Sequence, residues 1–150
     1  MIEIALYQPD IPQNTGTILR TAACLGTPVH IIEPAGFRWS IASFRRAGMD
    51  YIDHVKLVRH NCYDDFVEAT AQQRIVLATT KTTKSYLDFE FQSGDIILFG
   101  RESAGVPKNV HDNHPKQVTI KMQANTRSLN LAVSAGMISA EALRQTTKIK

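Results

Sequence analysis

Short apolar runs recur along the chain, and a more polar stretch follows each of them. Runs of this length with many β-branched residues are typical of β-strands. Six strands are predicted, at Ile2–Tyr7, Val29–Ile32, His54–Val58, Ile75–Ala78, Ile96–Phe99 and Gln117–Ile120. Because these strands alternate with helical stretches, the pattern indicates an α/β fold with a mostly parallel sheet.

Helical periodicity marks four of the stretches between or after the strands. They predict helices at Thr15–Leu25, Ile41–Ala47, Tyr63–Gln72 and Ser128–Arg144. Asn61 is the predicted N-cap of the third helix, because Asp64 and Asp65 follow near the positive end of its dipole. The polar stretch at residues 79–94 is predicted to be mainly loop, with a short strand at Tyr86 as the alternative.

The last predicted helix has an apolar stripe made of unusually small residues. The stripe consists of Leu129, Ala132, Val133, Gly136, Met137 and Ala140. A narrow face of this kind lets another backbone approach closely, so it can seat against the sheet, a ligand or a second subunit. Packing against the chain's own sheet is the simplest of these interpretations.

The length and composition are those of an ordinary soluble protein. A chain of 150 residues fits one domain, residues 1–150, and hydrophobic residues make up 43% of it against 21% charged. No apolar run approaches the roughly 18 residues of a membrane span. The first predicted strand begins at Ile2. We therefore expect a cytoplasmic, unprocessed protein.

The two cysteines and the five histidines predict neither a disulfide nor a metal site. Cys24 falls in a predicted helix and Cys62 near the start of another, so a disulfide framework is not expected. His60 with Cys62, and His111 with His114, could each supply two metal ligands. Neither pair has a second pair at a recognised spacing, and surface or capping roles are the simpler interpretation.

A basic patch is the clearest feature of the charge distribution. The formal net charge is +3 and the isoelectric point is about 9.0, which suits a polyanionic partner. Arginines and aromatic residues are interleaved in one segment, namely Phe37, Arg38, Trp39, Phe44, Arg45 and Arg46. Such a segment can hold phosphates and stack on unpaired bases. Equally, Trp39 and Phe44 can pack a short helix onto the core.

Three segments have the composition of ligand-binding turns. Phe99–Pro107 follows a predicted strand and places two glycines, a carboxylate and a hydroxyl where a ligand can approach the backbone. Arg127–Gly136 places Ser128 and Asn130 at the start of a helix, whose first N–H groups are unpaired. Pro12–Arg20 follows the first predicted strand in the same way.

Two common nucleotide-binding motifs are excluded by these residues. Gly100 and Gly105 have the spacing of a P-loop, but Val106 and Pro107 follow where lysine and serine or threonine would contact phosphate and magnesium. The turn after the first strand lacks the glycine fingerprint of dinucleotide-binding proteins. What remains is a glycine turn at the carboxyl end of a strand, where open α/β sheets bind ligands.

Together, the three segments resemble the motifs of the SpoU class of SPOUT RNA 2′-O-methyltransferases, in the same order and over nearly the whole chain. Within that class the sequence is most similar to enzymes that methylate the wobble nucleotide, position 34, of tRNA. The resemblance implies a doubly wound sheet, a C-terminal trefoil knot and S-adenosylmethionine as methyl donor. The cofactor contacts that it implies are Ala78, Gly100, Ile120, Met122, Ser128 and Leu129.

The resemblance also implies roles for four further residues. Arg20 matches a residue proposed as the general base, yet a guanidinium stays protonated in proteins and is a poor proton acceptor. We therefore expect Arg20 to hold a substrate phosphate and to orient the hydroxyl, with a phosphate or water taking the proton. Asn14 is expected to position Arg20. Glu102 is expected near the reacting nucleotide, and Asn130 is expected to orient the active-site turn.

The resemblance further implies a homodimer that binds the tRNA anticodon stem-loop, with Arg20 or basic residues reaching the partner's active site. Positions 101 and 104 carry Arg and Ala where some wobble-position enzymes have Pro and Arg. This departure affects the expected target more than the expected reaction.

Three alternatives remain: methylation at another tRNA or rRNA position, a non-catalytic RNA-binding module, and a nucleotide-binding oxidoreductase.

Overall fold

Six β-strands form one sheet among the described residues, which are 1–46 and 50–147 of the computed structural model. The side chains of Arg46 and Asp50 lie outside this description. The strands are β1 (Glu3–Tyr7), β2 (Val29–Ile32), β3 (Leu57–His60), β4 (Ile75–Ala78), β5 (Ile96–Phe99) and β6 (Gln117–Val118). Their order is β3-β2-β1-β5-β4-β6, and every neighbouring pair is parallel. The predicted α/β fold with a mostly parallel sheet is therefore confirmed.

The predicted strand at His54–Val58 is displaced along the chain. Asp50–His54 forms a 3-10 helix, and the strand that pairs with β2 is Leu57–His60. Val55 lies between them and packs against the core, which explains why this apolar segment resembles a strand. The last strand is also shorter than predicted, since beyond Val118 only an isolated bridge joins Thr119 to Ser85.

Five helices are present in the described part of the chain. They are α1 (Pro12–Leu25), α2 (Ile41–Arg46), α3 (Tyr63–Ala69), α4 (Lys108–Asn113) and α5 (Leu131–Thr146). Helix α1 begins earlier than predicted because proline is favoured in the first helical turn. Helix α4 was not predicted, since its six residues are too few for a periodic signal. The predicted end of α2 at Ala47 lies outside the described residues.

One smaller prediction about local structure is wrong, and one alternative is not realised. Cys62, and not Asn61, occupies the N-cap of α3, and no side-chain hydrogen bond caps that helix. Tyr86–Asp88 forms a 3-10 helix instead of a strand, capped by the Ser85 hydroxyl. The expectation for the cysteines is confirmed, because both thiols are free and exposed.

Helices cover both faces of the sheet, as in a doubly wound fold. On one face, Leu19 of α1 and Ile138 of α5 belong to the same buried cluster as Ile4 of β1. On the other, Phe66 of α3 and Val110 of α4 belong to a cluster with the opposite side of the strands. No helix in the described ranges is both long and apolar enough to cross a membrane.

Helix α5 buries a different face from the one predicted. Its buried residues are Ala135, Ile138, Ser139 and Ala142. Val133 and Met137 of the predicted stripe are 51% and 37% exposed, so the packing interpretation is wrong for them. Both faces of α5 are apolar, and periodicity alone does not choose between them.

Two buried imidazoles are expected to make folding stability fall as the pH is lowered. Burial lowers the pKa of His60, and so does His30, whose Nδ1 lies 2.8 Å from His60 Nε2. Burial also lowers the pKa of His114. Since each group has a lower pKa folded than unfolded, this stabilisation is present above about pH 6.5 and is lost as the pH falls below it.

Urea unfolding at a series of pH values from about 7 to about 5 tests this expectation. The raised pKa of Glu102 acts in the opposite direction, so wild type should be compared with His60→Gln. The free energy of unfolding should fall less steeply in the variant than in wild type. Parallel curves would show that His60 is not one of the responsible groups.

Candidate functional site

A cavity of about 580 Å³ opens at the carboxyl ends of β4, β5 and β6. The segments that follow these strands form its walls, together with the residues that lead into α5. All the residues expected to contact a cofactor line it, namely Ala78, Gly100, Ile120, Met122, Ser128 and Leu129. This volume is within the usual range for a small-molecule site. The structure therefore brings these dispersed positions to one place.

The turn after β5 is closed so tightly that only glycine fits at position 100. Arg101 and Gly105 exchange two backbone hydrogen bonds of 3.0 and 2.9 Å across the turn. A Cβ atom on Gly100 would lie 2.6 Å from the carbonyl carbon of Gly105 and 2.9 Å from the nitrogen of Val106. Gly105 has a φ of +64°, a conformation that glycine adopts without strain.

Asn130 joins the start of α5 to α1. Its Oδ1 accepts hydrogen bonds from the backbone nitrogens of Ala132 and Val133, at 2.8 and 3.3 Å, and so caps the helix. Its Nδ2 donates to Oδ1 of Asn14 at 2.9 Å. Nδ2 of Asn14 in turn lies 3.4 Å from Oε1 of Glu102. Three of the predicted catalytic residues, from three separate elements, therefore form one hydrogen-bonded chain at the cavity.

Glu102 is paired with a second carboxyl group that was not predicted from the sequence. The backbone nitrogen of Asp10 donates to Oε2 of Glu102 at 3.0 Å. Burial raises the pKa of Glu102, and the neighbouring Asp10 carboxyl raises it further. The pKa of Asp10 is lowered, mainly by the Glu102 carboxyl group beside it and further by the Ser103 hydroxyl and the Arg101 guanidinium. The one sequence signal for Asp10 is its position after β1, in the turn that leads to Pro12.

Arg20 lies apart from this chain of hydrogen bonds. It is exposed on α1, and its guanidinium carbon is 5.0 Å from the centre of the Tyr51 ring. Arg20 is not among the described residues that line the cavity. The expected contact between Asn14 and Arg20 is absent from the described hydrogen bonds, because Asn14 is bonded to Asn130 and Glu102 instead.

The segment predicted to bind RNA is partly packed against the protein. Phe44 is only 6% exposed, so the packing interpretation is confirmed for it. The Trp39 ring lies 5.1 Å from the Phe44 ring, and the Arg59 guanidinium lies 4.9 Å from the Trp39 ring centre. The side chain of Arg45 forms an ion pair with Asp53.

Arg38 is exposed, whereas the side chain of Arg46 lies outside the described residues. The cavity itself also carries cations that were not predicted to bind RNA, since Lys81, Arg101 and Arg127 are part of its lining. The role of the 37–46 segment in RNA binding therefore stays a prediction.

Comparisons with known proteins agree on one family. The sequence matches the model of the SpoU rRNA Methylase family over residues 1–140. A tRNA (cytidine(34)-2'-O)-methyltransferase of Beijerinckia indica subsp. indica is 54% identical over 144 residues, which cover 95% of this chain and 90% of the relative. A solved structure concerning the 2-OH methylation of C/U34 on tRNA is 43% identical to this chain, with a TM-score of 0.91. The match covers 97% of this chain and 95% of the chain in that structure.

A more distant structure has the same fold. The SpoU methyltransferase AviRb from Streptomyces viridochromogenes, solved in complex with the cofactor AdoMet, superposes with a TM-score of 0.85. It is 24% identical, and the match covers 97% of this chain and 57% of AviRb. At this identity the likeness shows the fold alone.

Proposed function

The chain belongs to the SpoU rRNA Methylase family, and from this premise we propose that it methylates the ribose 2′-hydroxyl of the wobble nucleotide, position 34, of tRNA. The methyl donor is S-adenosylmethionine. The observation that carries the proposal is the single cavity lined by all the expected cofactor contacts and by Asn14, Glu102 and Asn130. The 54% identity to a tRNA (cytidine(34)-2'-O)-methyltransferase supports position 34 in preference to other RNA positions.

The cavity fits the cofactor in size and in the character of its walls. Ile120, Met122 and Leu129 offer apolar surface, and Ser128 offers a hydroxyl. The missing Cβ at Gly100 keeps the floor of the cavity close to the Gly105 backbone. When bound there, S-adenosylmethionine supplies an electrophilic methyl group on a sulfonium centre. Ala78 and the tight turn at Gly100 would hold it through their backbone groups.

The protein's own contribution is to position the ribose hydroxyl. Asn130, Asn14 and Glu102 form a hydrogen-bonded chain at the cavity, and the N-cap of α5 fixes one end of it. Holding two reactants in line in this way accelerates a reaction without any change in the groups themselves. Arg20 would hold a phosphate of the substrate, since its guanidinium matches phosphate geometry and does not release its proton.

A homodimer is part of the same proposal. Leu129, Val133 and Met137 expose apolar side chains beside the cavity, and Ile11 exposes another at the start of α1. Exposed apolar surface of this kind marks interfaces, and twofold symmetry is the commonest arrangement of soluble homo-oligomers. Since Arg20 lies outside the cavity of its own chain, each site would take this residue from the partner subunit.

The trefoil knot and the cytoplasmic location also belong to the proposal. The knot is proposed from the resemblance to the SPOUT class, and α5 also contacts the segment that precedes β5. There, Oε1 of Gln145 accepts from the nitrogen of Phe91 at 2.8 Å, and its Nε2 donates to the carbonyl of Phe89 at 3.0 Å. The cytoplasmic location follows from a tRNA substrate.

Two measurements test the proposed function. Calorimetry should detect binding of S-adenosylhomocysteine, and mass spectrometry of tRNA nucleosides from a deletion strain should show loss of 2′-O-methylation at position 34. Loss at another tRNA or rRNA position would replace the proposed target. Binding of NAD without binding of S-adenosylhomocysteine would favour an oxidoreductase, and RNA binding with neither ligand would indicate a non-catalytic module.

The Arg38–Arg46 segment is expected to contribute to tRNA affinity by binding phosphates. The double variant Arg45→Ala, Arg46→Ala should weaken tRNA binding and make it less dependent on salt. The slope of the logarithm of the binding constant against the logarithm of the salt concentration should become shallower by about 0.7 for each phosphate that the variant no longer binds. Cofactor affinity should not change. Trp39→Ala should cost on the order of 1 to 3 kcal/mol of binding with little salt dependence if the ring stacks on a base.

Lys116→Ala provides the control for this prediction. Lys116 is an exposed cation that precedes β6, at the opposite edge of the sheet from β3. Its replacement should leave the salt slope unchanged. An unchanged slope in the double arginine variant as well would place the RNA path on another surface, such as the one around Lys81 and Arg127.

A further inference from the structure

Asp10 is held against the active-site turn by contacts on several sides. Its backbone nitrogen donates to Oε2 of Glu102 at 3.0 Å, and its carboxylate accepts a hydrogen bond from the hydroxyl of Ser103. Nη2 of Arg101 lies 3.5 Å from the same carboxylate. On the far side, a Cβ atom added to Gly36 would lie only 2.5 Å from Cβ of Asp10. The side chain of Asp10 therefore has little freedom to move away from Glu102.

The burial of this carboxylate is costly for folding. Oδ1 of Asp10 is buried and has no hydrogen-bond partner among the described residues, and the same holds for Nε of Arg101. An unpaired buried polar atom destabilises the folded state, because it loses its hydrogen bonds to water and gains none in return. A second carboxyl group beside Glu102 adds to this cost, because two adjacent carboxylates repel one another. Such an arrangement is typical of functional sites, where pairs of acids hold a proton-transfer group at a useful basicity.

Few charged groups of the described residues contact the pair, although Lys81 and Arg127 line the same cavity as Glu102. Arg101 is the cation that contacts the pair from the turn, whereas its other described partners, Asn14 and Ser103, are neutral. Glu102 is the member of the pair that lines the cavity. A carboxylate has about four acceptor positions, and the bonds from Asp10 and Asn14 occupy two of them. Glu102 can therefore accept a further hydrogen bond from a substrate hydroxyl.

We propose that Glu102 is the catalytic base that takes the proton of the ribose 2′-hydroxyl, and that Asp10 is the positioning residue that orients Glu102. This inference rests on the proposed function. In the step, the O–H bond of the ribose breaks and its proton passes to a carboxylate oxygen of Glu102. The electron pair that stays on the ribose oxygen forms the new O–CH₃ bond. The S–CH₃ bond breaks, and its electron pair remains on sulfur.

The pH dependence of single-turnover methyl transfer tests this assignment. Wild type should show a rate that rises with pH as Glu102 ionises. In Asp10→Asn, the negative charge beside Glu102 is lost while the shape is kept, so the pKa of Glu102 falls. The rising limb should therefore move to lower pH, and the plateau rate should drop because the base is weaker. Glu102→Gln should lower the plateau rate by about 100-fold or more.

Three further measurements separate the possible outcomes. Asp88→Asn removes an equal charge from an exposed position that is not among the described cavity residues, and its rising limb should match that of wild type. Cofactor affinity and melting temperature of Asp10→Asn identify any general disruption of the turn. The proposal would be overturned if the rate of Asp10→Asn rose over the same pH range as that of wild type and differed only in being lower at every pH. A wild-type protein that transfers no methyl group would instead overturn the proposed function.

Discussion

Replacing Arg20 with alanine is expected to lower the rate of methyl transfer by about 100-fold or more while leaving cofactor affinity nearly unchanged. The reason is geometric: the Arg20 guanidinium lies against Tyr51 and outside the cavity of its own chain. Arg20→Lys should also fail, because an ammonium group cannot reproduce the paired donors of a guanidinium. Single-turnover rates and calorimetry with S-adenosylhomocysteine measure the two effects separately. Equal losses of both would indicate a structural role for Arg20.

Mixed dimers test whether Arg20 acts across the interface. Subunits carrying Arg20→Ala and subunits carrying Glu102→Gln should each be inactive as homodimers. In a mixed dimer, one site combines an intact Glu102 with the partner subunit's Arg20, so random mixing should restore about a quarter of wild-type activity. If mixed dimers form, as native mass spectrometry can verify, and no activity returns, then Arg20 acts within its own chain or not at all.

Replacing Gly100 with alanine is expected to lower cofactor affinity at least about tenfold. The added methyl group would lie 2.6 to 2.9 Å from backbone atoms of Gly105 and Val106, so the turn would have to open. Overpacking of this kind typically costs about 1 to 3 kcal/mol, and backbone cannot yield as a flexible side chain can. Calorimetry with S-adenosylhomocysteine and thermal unfolding measure the two consequences.

Gly105→Ala is the matched control, since it adds the same atom to the same turn. Apart from Gly105 and its two chain neighbours, no atom of the described residues lies within 4 Å of that added Cβ. The cost therefore comes from a φ of +64°. A left-handed conformation costs an L-residue about 1 to 2 kcal/mol, so stability should fall while the cavity stays open. If both variants lowered cofactor affinity to the same extent, the close approach at Gly100 would not be what shapes the site.

Local patterns were sufficient for much of the fold. The bounds of β2, β4 and β5 match the predictions made from the sequence, because each strand is a short apolar run bordered by polar residues. The start of α5 was predicted too early, at Ser128: the helix begins at Leu131, because Asn130 caps it through the backbone nitrogens two and three residues further on. The resemblance to a known family then indicated the cofactor contacts, which the structure brings together in one cavity.

Other features depend on residues far apart in the chain, and periodicity does not report on them. Which apolar face of α5 is buried was decided by packing in the core cluster that it shares with α1 and β1, so Ile138 is buried whereas Val133 is exposed. Likewise, the position of β3 along the chain is determined by its pairing with β2, whereas Val55 packs against the core from a loop.

At the candidate site, too, the residues could be identified from the sequence, but the contacts between them could not. Asn14, Glu102 and Asn130 were each identifiable in the sequence, but the hydrogen bonds that join them cross 88 and 116 residues of chain. Asp10 had no motif of its own, and its contact with Glu102 spans 92 residues. Sequence by itself determined which side chains were available near each strand end, because that depends on local composition. Only the tertiary structure decided which of them meet, because contacts between distant segments depend on how the whole sheet and its helices pack.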